Sequence, residues 1–549
     1  MYVYVDGQLT YKVNASTVDT FVNLPIGKHG IKVQAKDSTN KTFQQSLPVV
    51  MQPPCALNSV NQTVTVCSLV SGSVVSLPFH LIAAATDSSP VTSLTLLVDG
   101  SSNAVVSNSA ILDLYVSNVS LGTHSVTVQA HDSSGASFNQ QLNIIVTAAS
   151  NGLAHINHII FFLQENRSFD SYFGMLGPYK VSKGLTNDVD GLDPNTTLPN
   201  SQGQRVPLYH YQTVCTESLS IGWGFSHSDV NYGKMDGFVL SAGAAYKSTI
   251  DPTGTRAMGY YDQTDLPYYY EAAARFAISD RFFSPVLTRT IPNRMYLFTG
   301  TSFGNASPTS PPPGGFTQPT IFDRLDQAGV SWRYYYPGAL SSAFITQFAI
   351  YQKNPADQAK VVPIANWYND VMNDATLPSV VFIERGDDEH PGNNVQHGAA
   401  TVAKIANALM KSVSWPDSAL ILTYDEGGGL YDHVRPAREI KPDSIPPNIG
   451  AGAYPGDFNE SGFRLPLIVF SPWVRPSFVS HTTRDFTSII RLIEDRFNLQ
   501  PLTLRDANAD DMMEFFDFSG APPLLTPPTL PAQPTNGACD HNLEAAPGF

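Results

Sequence analysis

An α/β fold built on a doubly wound, mainly parallel sheet, with β-sandwich modules ahead of it, is what this sequence predicts. Three observations point there. First, four short apolar runs without polar alternation lie at 159–163, 379–383, 419–424 and 466–470. Such runs read as strands buried on both faces. They are interleaved with helical patterns at 266–280, 318–329, 398–413 and 485–499, the alternation expected of parallel pairing. Second, residues 1–47 and roughly 95–146 repeat one alternating pattern. Third, three of the four apolar runs are followed by acidic or imidazole side chains, and ligands of open α/β sheets bind beyond the carboxyl ends of strands.

Composition narrows the classes. The 549 residues are 42% hydrophobic and 14% charged, as in globular rather than disordered or fibrous chains. The 41 prolines and 39 glycines imply many turns and long loops. A net charge of −15 argues against nucleic acid as a partner and supplies no polybasic membrane anchor. No apolar run approaches the ~20 residues of a membrane-spanning helix. The first seven residues, Met1 to Gly7, have neither the basic nor the apolar region of a signal peptide. They read as the middle of a β-domain, so an upstream segment carrying a signal is expected, with a secreted, periplasmic or cell-surface location. Cys55, Cys67, Cys215 and Cys539 show no CxxC spacing, which disfavours a cysteine zinc site. Cys55 and Cys67 would close a small loop in an oxidising compartment, although spacing alone fixes no connectivity.

In chain order, the repeat comes first. Val5-Asp6-Gly7 returns as Val98-Asp99-Gly100, and Val33-Gln34-Ala35 as Val128-Gln129-Ala130. The spacing matches an immunoglobulin-like sandwich. Residues 1–50 then form part of one Ig-like sandwich and 53–148 a complete second one. His29 and His124 hold equivalent repeat positions, which favours a structural role for both. A short polar linker comes next, and the catalytic candidate spans 153–500. In its last helix Phe486, Ile489, Ile490, Leu492, Ile493 and Phe497 form a core-facing stripe. From 501 to 549 the chain turns Pro-rich and reads as an extended tail over the surface.

The chemistry collects at strand ends. Glu165 and Asn166 come after the first run, Glu384 to Gly392 (with Asp387, Asp388 and His390) after the second, and Asp425 and Glu426 after the third, with Asp432-His433 close behind. Each acidic end taken alone reads as a solvated turn. Three on one sheet edge suit a divalent cation held by hard oxygen ligands, Mg²⁺, Ca²⁺ or Mn²⁺, with Zn²⁺ also compatible. Separately, Pro292 suits the first position of a helix. Thr290 would then stand at a helix entrance, where phosphate binds well. Alone, it reads equally as an N-cap, and a lone histidine such as His227 as structural.

Five ordered blocks carry a resemblance. Gln164-Glu165-Asn166-Arg167-Ser168-Phe169-Asp170, Gly233-Lys234-Met235-Asp236-Gly237-Phe238, Thr290-Ile291-Pro292-Asn293-Arg294, Asp388-Glu389-His390-Pro391 and Thr423 to His433 resemble the bacterial phosphoesterases that include non-haemolytic phospholipase C and acid phosphatase A. The resemblance covers about 155–500. It implies an alkaline-phosphatase-like core and metal-assisted phosphoester hydrolysis by one or more divalent ions. Glu165, Asn166, Asp425 and Glu426 would hold the metal, Thr290 would be the nucleophile, and His227 and His390 would contact the phosphoryl group. His433 and Arg289 are further site candidates.

The chain departs from the family pattern in two places. Thr288-Arg289 replaces the usual Gly-Pro before the nucleophile, and Gly427 stands where some relatives carry His. The implied substrate is a phospholipid or a small phosphomonoester, chosen by loops near 176–222 and 239–265, with peripheral contact to a membrane or cell surface. The other class of reading is a surface adhesion protein whose Ig-like modules carry the function and whose catalytic domain is degenerate.

Overall fold

A computed structural model describes the chain except residues 15–26, 38–40, 52–59, 68, 70, 77–78, 108, 117–118, 148–151, 246–249, 307–312, 373–375, 385–388 and 451–452. Two compact units divide it, Met1–Ser150 and Asn151–Phe549.

The first unit is all β. Strands Gln8–Lys12, Tyr2–Val5, Gly27–Lys36 and Thr42–Met51 form one antiparallel sheet in that order. Later in the chain, a three-stranded and a five-stranded sheet share a core that includes Leu81, Leu94, Leu96, Val126, Val128 and Ile144. Strand Gly122–Asp132 buries alternate residues, as its sequence pattern requires. The repeated Val-Asp-Gly motif is a hairpin turn: Asp6 and Asp99 both have φ 50°, and the glycines after them 83° and 79°. Two successive positive φ values define a type I′ turn. Each aspartate lies 2.7 Å from a histidine ring, Asp6 from His29 and Asp99 from His124. The histidines brace turns, and their equivalence in the repeat reflects that.

The second unit is organised around strand His158–Gln164, every residue of which is buried. It pairs in parallel with Val380–Glu384 on one side and Ser418–Tyr424 on the other. The eight-stranded sheet runs Val361–Pro363, Trp332–Tyr336, Val380–Glu384, His158–Gln164, Ser418–Tyr424, Leu467–Phe470, Ala277–Ser279, Val479–Ser480. Leu467–Phe470 is antiparallel to both neighbours, so the fourth apolar run delivers its end to the opposite edge. Register aligns Leu163 with Glu384 and Gln164 with Tyr424, which brings three carboxyl ends level.

Helix boundaries differ from expectation in one instructive case. The stretch 266–280 is helical only over Pro267–Arg275, and Ala277–Ser279 then enters the sheet. Phe276 turns extended and is fully buried, so tertiary packing overrides local periodicity there. The predicted stripe of helix Phe486–Phe497 does face the core.

The last residues are fastened down. Cys539 is disulfide-bonded to Cys215, 324 positions earlier. Gly537 N–H donates to Gln396 Oε1 at 2.8 Å, and buried Glu544 accepts from Glu217 N–H at 2.6 Å. Cys67 is disulfide-bonded, and Cys55, the partner its spacing suggests, lies outside the described residues. Among the described residues, no helix is long and apolar enough to cross a membrane.

Candidate active site

Two tight turns bring the strand ends together. After Gln164 the chain reverses at Asn166, whose φ of 69° is left-handed, a conformation asparagine tolerates better than most residues. Ser168 then caps helix Phe169–Phe173 and donates its hydroxyl to the Tyr431 carbonyl at 2.7 Å. On the other strand, Gly428 has φ 69°, and a Cβ there would fall 2.3 Å from the Asn166 carbonyl. Only glycine lets the two loops approach so closely.

The buried side chains in this cleft carry charge. Asp425 N–H bonds the Gln164 carbonyl at 3.1 Å, placing Asp425 and Glu426 beside Glu165 and Asn166. Asn166 Nδ2 donates to Glu426 Oε1, and Gly428 N–H to Glu426 Oε2 at 2.8 Å. Burial, with Asp425 alongside, drives the Glu426 carboxyl well above its ordinary range, and the Arg289 charge offsets this in part. Arg294 forks between three carboxylates: Glu165 at 2.8 Å, Glu384 at 2.6 Å and Asp425 at 3.5 Å.

The sequence pattern assigns no role to Arg294, and it shows Glu384 only as the start of an acidic stretch past a strand. Glu384 is the last residue of its strand, and it accepts Tyr334 OH at 2.7 Å as well. The available signal was spacing, since Arg294 lies one helical turn beyond Thr290 on the same face.

These residues fit a divalent cation. Asn166 Oδ1 is buried with no hydrogen-bond partner among the described residues. Glu165, Asp425 and Glu426 are buried carboxylates, and with that carbonyl they form a hard oxygen donor set. Three buried carboxylates, Glu165, Glu384 and Asp425, share the one forked Arg294 guanidinium. The donor oxygens are not gathered, however. Among the described residues, the triads with ligand atoms within 4.8 Å are Asp170–Asp432–His433 and His210–Asp262–Asp265. Arg294 draws Glu165 toward Glu384, and the Asn166 amide holds Glu426.

His433 belongs to a different network. Its ring nitrogens lie 2.7 Å from Asp170 and 3.1 Å from Asp190, while Arg464 binds Asp170 and Asp432, each at 2.8 Å. Burial pulls its pKa down, but the Asp170 carboxylate outweighs this and lifts it to about 9. Arg464 and the His433 imidazole thus share Asp170, and Asp170, Asp432 and His433 bring ligand atoms within 4.8 Å of one another.

Thr290 is the first residue of helix Thr290–Thr299, with Arg289 as N-cap. The helix therefore starts two residues before the expected position, and Pro292 sits third. The Thr290 hydroxyl makes no hydrogen bond to the described residues, whereas the buried Thr288 hydroxyl is committed to the Ala306 carbonyl at 2.9 Å. Asn293 ties the approach loop, accepting Val286 N–H at 3.0 Å and donating to the Thr288 carbonyl at 3.0 Å.

Each of the two candidate histidines has its own local partners. His227 lies between Trp223 and Tyr454, ring centroids 4.4 and 5.1 Å away, and donates from Nδ1 to the Trp223 carbonyl at 2.7 Å. Burial lowers its pKa, leaving a neutral ring with Nε2 as acceptor. His390 Nδ1 is 2.6 Å from the Pro391 carbonyl. Asp387 and Asp388 lie outside the described residues.

Residues 156–500 match the model of the Phosphoesterase family, and the chain belongs to that family. It is 31% identical over 445 residues to phospholipase C B of Mycobacterium tuberculosis, covering 71% of this chain and 84% of that one. Non-specific phospholipase C4 of Arabidopsis thaliana is 31% identical over 377 residues, 62% of this chain and 66% of its own. A solved structure in the alkaline phosphatase superfamily from Vibrio parahaemolyticus covers 59% of this chain and 74% of its own, at 11% identity and a TM-score of 0.29. The chain is a hydrolase of phosphoester bonds.

Proposed function

We propose that the chain is a phospholipase C-type phosphodiesterase that uses Thr290 as nucleophile and a divalent cation held by Glu165, Asn166, Asp425 and Glu426. The observation that carries this reading is the buried oxygen set around the unpartnered Asn166 Oδ1, linked through Arg294 to the helix that begins at Thr290. A bound divalent cation there supplies Lewis-acid charge that lowers hydroxyl pKa and screens phosphoryl oxygens.

Thr290 gives its hydroxyl proton to neutral His227 as its Oγ1 attacks phosphorus, forming a threonine–phosphorus bond as the bond to the leaving alcohol breaks. Free N–H groups of the first helical turn and the Arg289 guanidinium hold phosphoryl oxygens. His390 gives the leaving oxygen its proton. Water then attacks the phosphothreonine and passes a proton to the now neutral His390, while His227 returns its proton to the Thr290 oxygen, so a phosphomonoester leaves with Thr290 and both histidines restored. An alkaline-phosphatase-like core over 153–500 fits the parallel sheet and its aligned strand ends. The sandwich modules, 1–50 and 53–148, serve as accessory domains rather than as the functional part of a degenerate enzyme. The Cys215–Cys539 disulfide supports an oxidising, extracytoplasmic location.

Hydrolysis of phosphatidylcholine, sphingomyelin and a small phosphomonoester, with and without chelator, tests the reading. Turnover should fall on chelation and return with added Mn²⁺ or Ca²⁺, fastest on a diester. Asp425→Asn should lower metal affinity and turnover together. Undiminished turnover of Asp425→Asn at limiting metal would remove the assignment.

A further inference from the structure

One carboxylate behind the site is tied to the segments that carry it. Glu389 is fully buried, and its oxygens accept four hydrogen bonds. Oε1 accepts Gln164 Nε2 at 3.1 Å and Tyr269 OH at 2.5 Å, and Oε2 accepts Tyr172 OH at 2.6 Å and Tyr424 OH at 2.9 Å. Its backbone carbonyl accepts Arg167 Nε at 2.7 Å. The positions of these donors matter more than their number. Gln164 and Arg167 flank Glu165–Asn166, Tyr424 directly precedes Asp425–Glu426, and Glu389 itself directly precedes His390.

The side chain has no room to move. Helix Val395–Met410 passes so near that a Cβ at Gly398 would stand 2.2 Å from Glu389 Cγ. Carboxylate burial is costly unless the charge is fully bonded, and an apolar side chain would fill the same volume at less cost. What an apolar residue lacks is the ability to accept from four directions at once.

We propose that Glu389 is a positioning residue for phosphoester hydrolysis: one buried anion that fixes the spacing of the two oxygen-bearing strand ends and of His390. It touches no reacting atom. The inference rests on reading Glu165, Asn166, Asp425 and Glu426 as the cation-holding set. Glu389→Gln keeps the shape but offers a single acceptor oxygen, and its amide N–H groups confront hydroxyls oriented to donate. Gln164 and Tyr424 then lose their common anchor. Replacing groups that orient metal ligands typically costs about 10–100-fold in metal affinity or activity.

The test is Mn²⁺ titration calorimetry on the full chain without substrate, with kcat and KM measured alongside. The wild type is compared with Glu389→Gln, Tyr424→Phe, Tyr269→Phe and Asp425→Asn. Glu389→Gln should weaken Mn²⁺ binding and lower kcat, each about 10–100-fold, with KM nearly unchanged. Tyr424→Phe should reproduce part of that loss. Tyr269→Phe, whose hydroxyl meets Glu389 but whose neighbours carry no site residue, should leave affinity near wild type. Equal Mn²⁺ affinity and kcat in Glu389→Gln and wild type would overturn the proposal. If Glu389→Gln does not fold, the tyrosine pair decides: equal behaviour of Tyr424→Phe and Tyr269→Phe overturns it. Wild-type binding by Asp425→Asn would overturn the cation set itself, and this inference with it.

Discussion

Arg294 donates to Glu165 across 2.8 Å from the helix that begins at Thr290. One buried guanidinium thus couples the nucleophile candidate to the first oxygen-bearing strand end, and through Glu384 to the second.

Removing that coupling should be costly for stability. Arg294→Met leaves Glu165 and Glu384 buried without their cation, a loss of roughly 3–5 kcal/mol. Arg294→Lys keeps a charge but cannot fork, so its stability should fall between wild type and Arg294→Met. Denaturant midpoints of the three proteins, with and without Mn²⁺, check the order. Metal should recover part of the Arg294→Met loss, because it restores positive charge beside Glu165.

His433 gives a stability signature with a defined sign. Its folded pKa of about 9 lies above the ordinary ~6.5. Its contribution is therefore fully present below about pH 6.5 and is lost as pH rises through about 9. The wild-type melting temperature should decline across that window, and His433→Gln should flatten the decline. Identical slopes in both proteins would show that the Asp170 and Asp190 contacts do not govern the titration.

The two units bury separate cores, one drawn from residues between Val64 and Val146 and the other beginning at Leu153. A chain starting near residue 152 should fold and hydrolyse a small phosphoester within about twofold of the full-length rate, with loss confined to surface or lipid attachment. Loss of small-substrate turnover in a folded truncation would make the sandwich part of the active site.

Much of this site is legible in the sequence because continuous apolar runs mark buried strands, and the residues just past three of those runs share one sheet edge. Glu165, Asn166, Asp425 and Glu426 are visible in that way. Arg294 is not, since an arginine in a helix reads as solvent-facing until the fold places three carboxylates around it. Glu384 is visible only as the start of an acidic stretch, and its place as the last residue of a buried strand, bonded to Arg294, is not. His433 shows in the sequence only as part of Asp432-His433, because its partners Asp170 and Asp190 lie 263 and 243 positions away, beyond any local pattern. The Cys215–Cys539 pairing spans more than half the chain, and spacing carries no sign of it.

The central claim is that Thr290 forms a covalent bond to phosphorus. Thr290→Ala should abolish turnover while leaving fold and Mn²⁺ affinity near wild type, and Thr290→Ser should retain partial activity. Thr288→Ala should be mild for catalysis, because that hydroxyl is already committed to Ala306. The most direct measurement is acid quench during turnover, followed by mass-spectrometric mapping of the phosphorylated peptide. Phosphate on Thr290, absent from Thr290→Ala, is the predicted result. Phosphate on Thr288, or full turnover by Thr290→Ala, would contradict it.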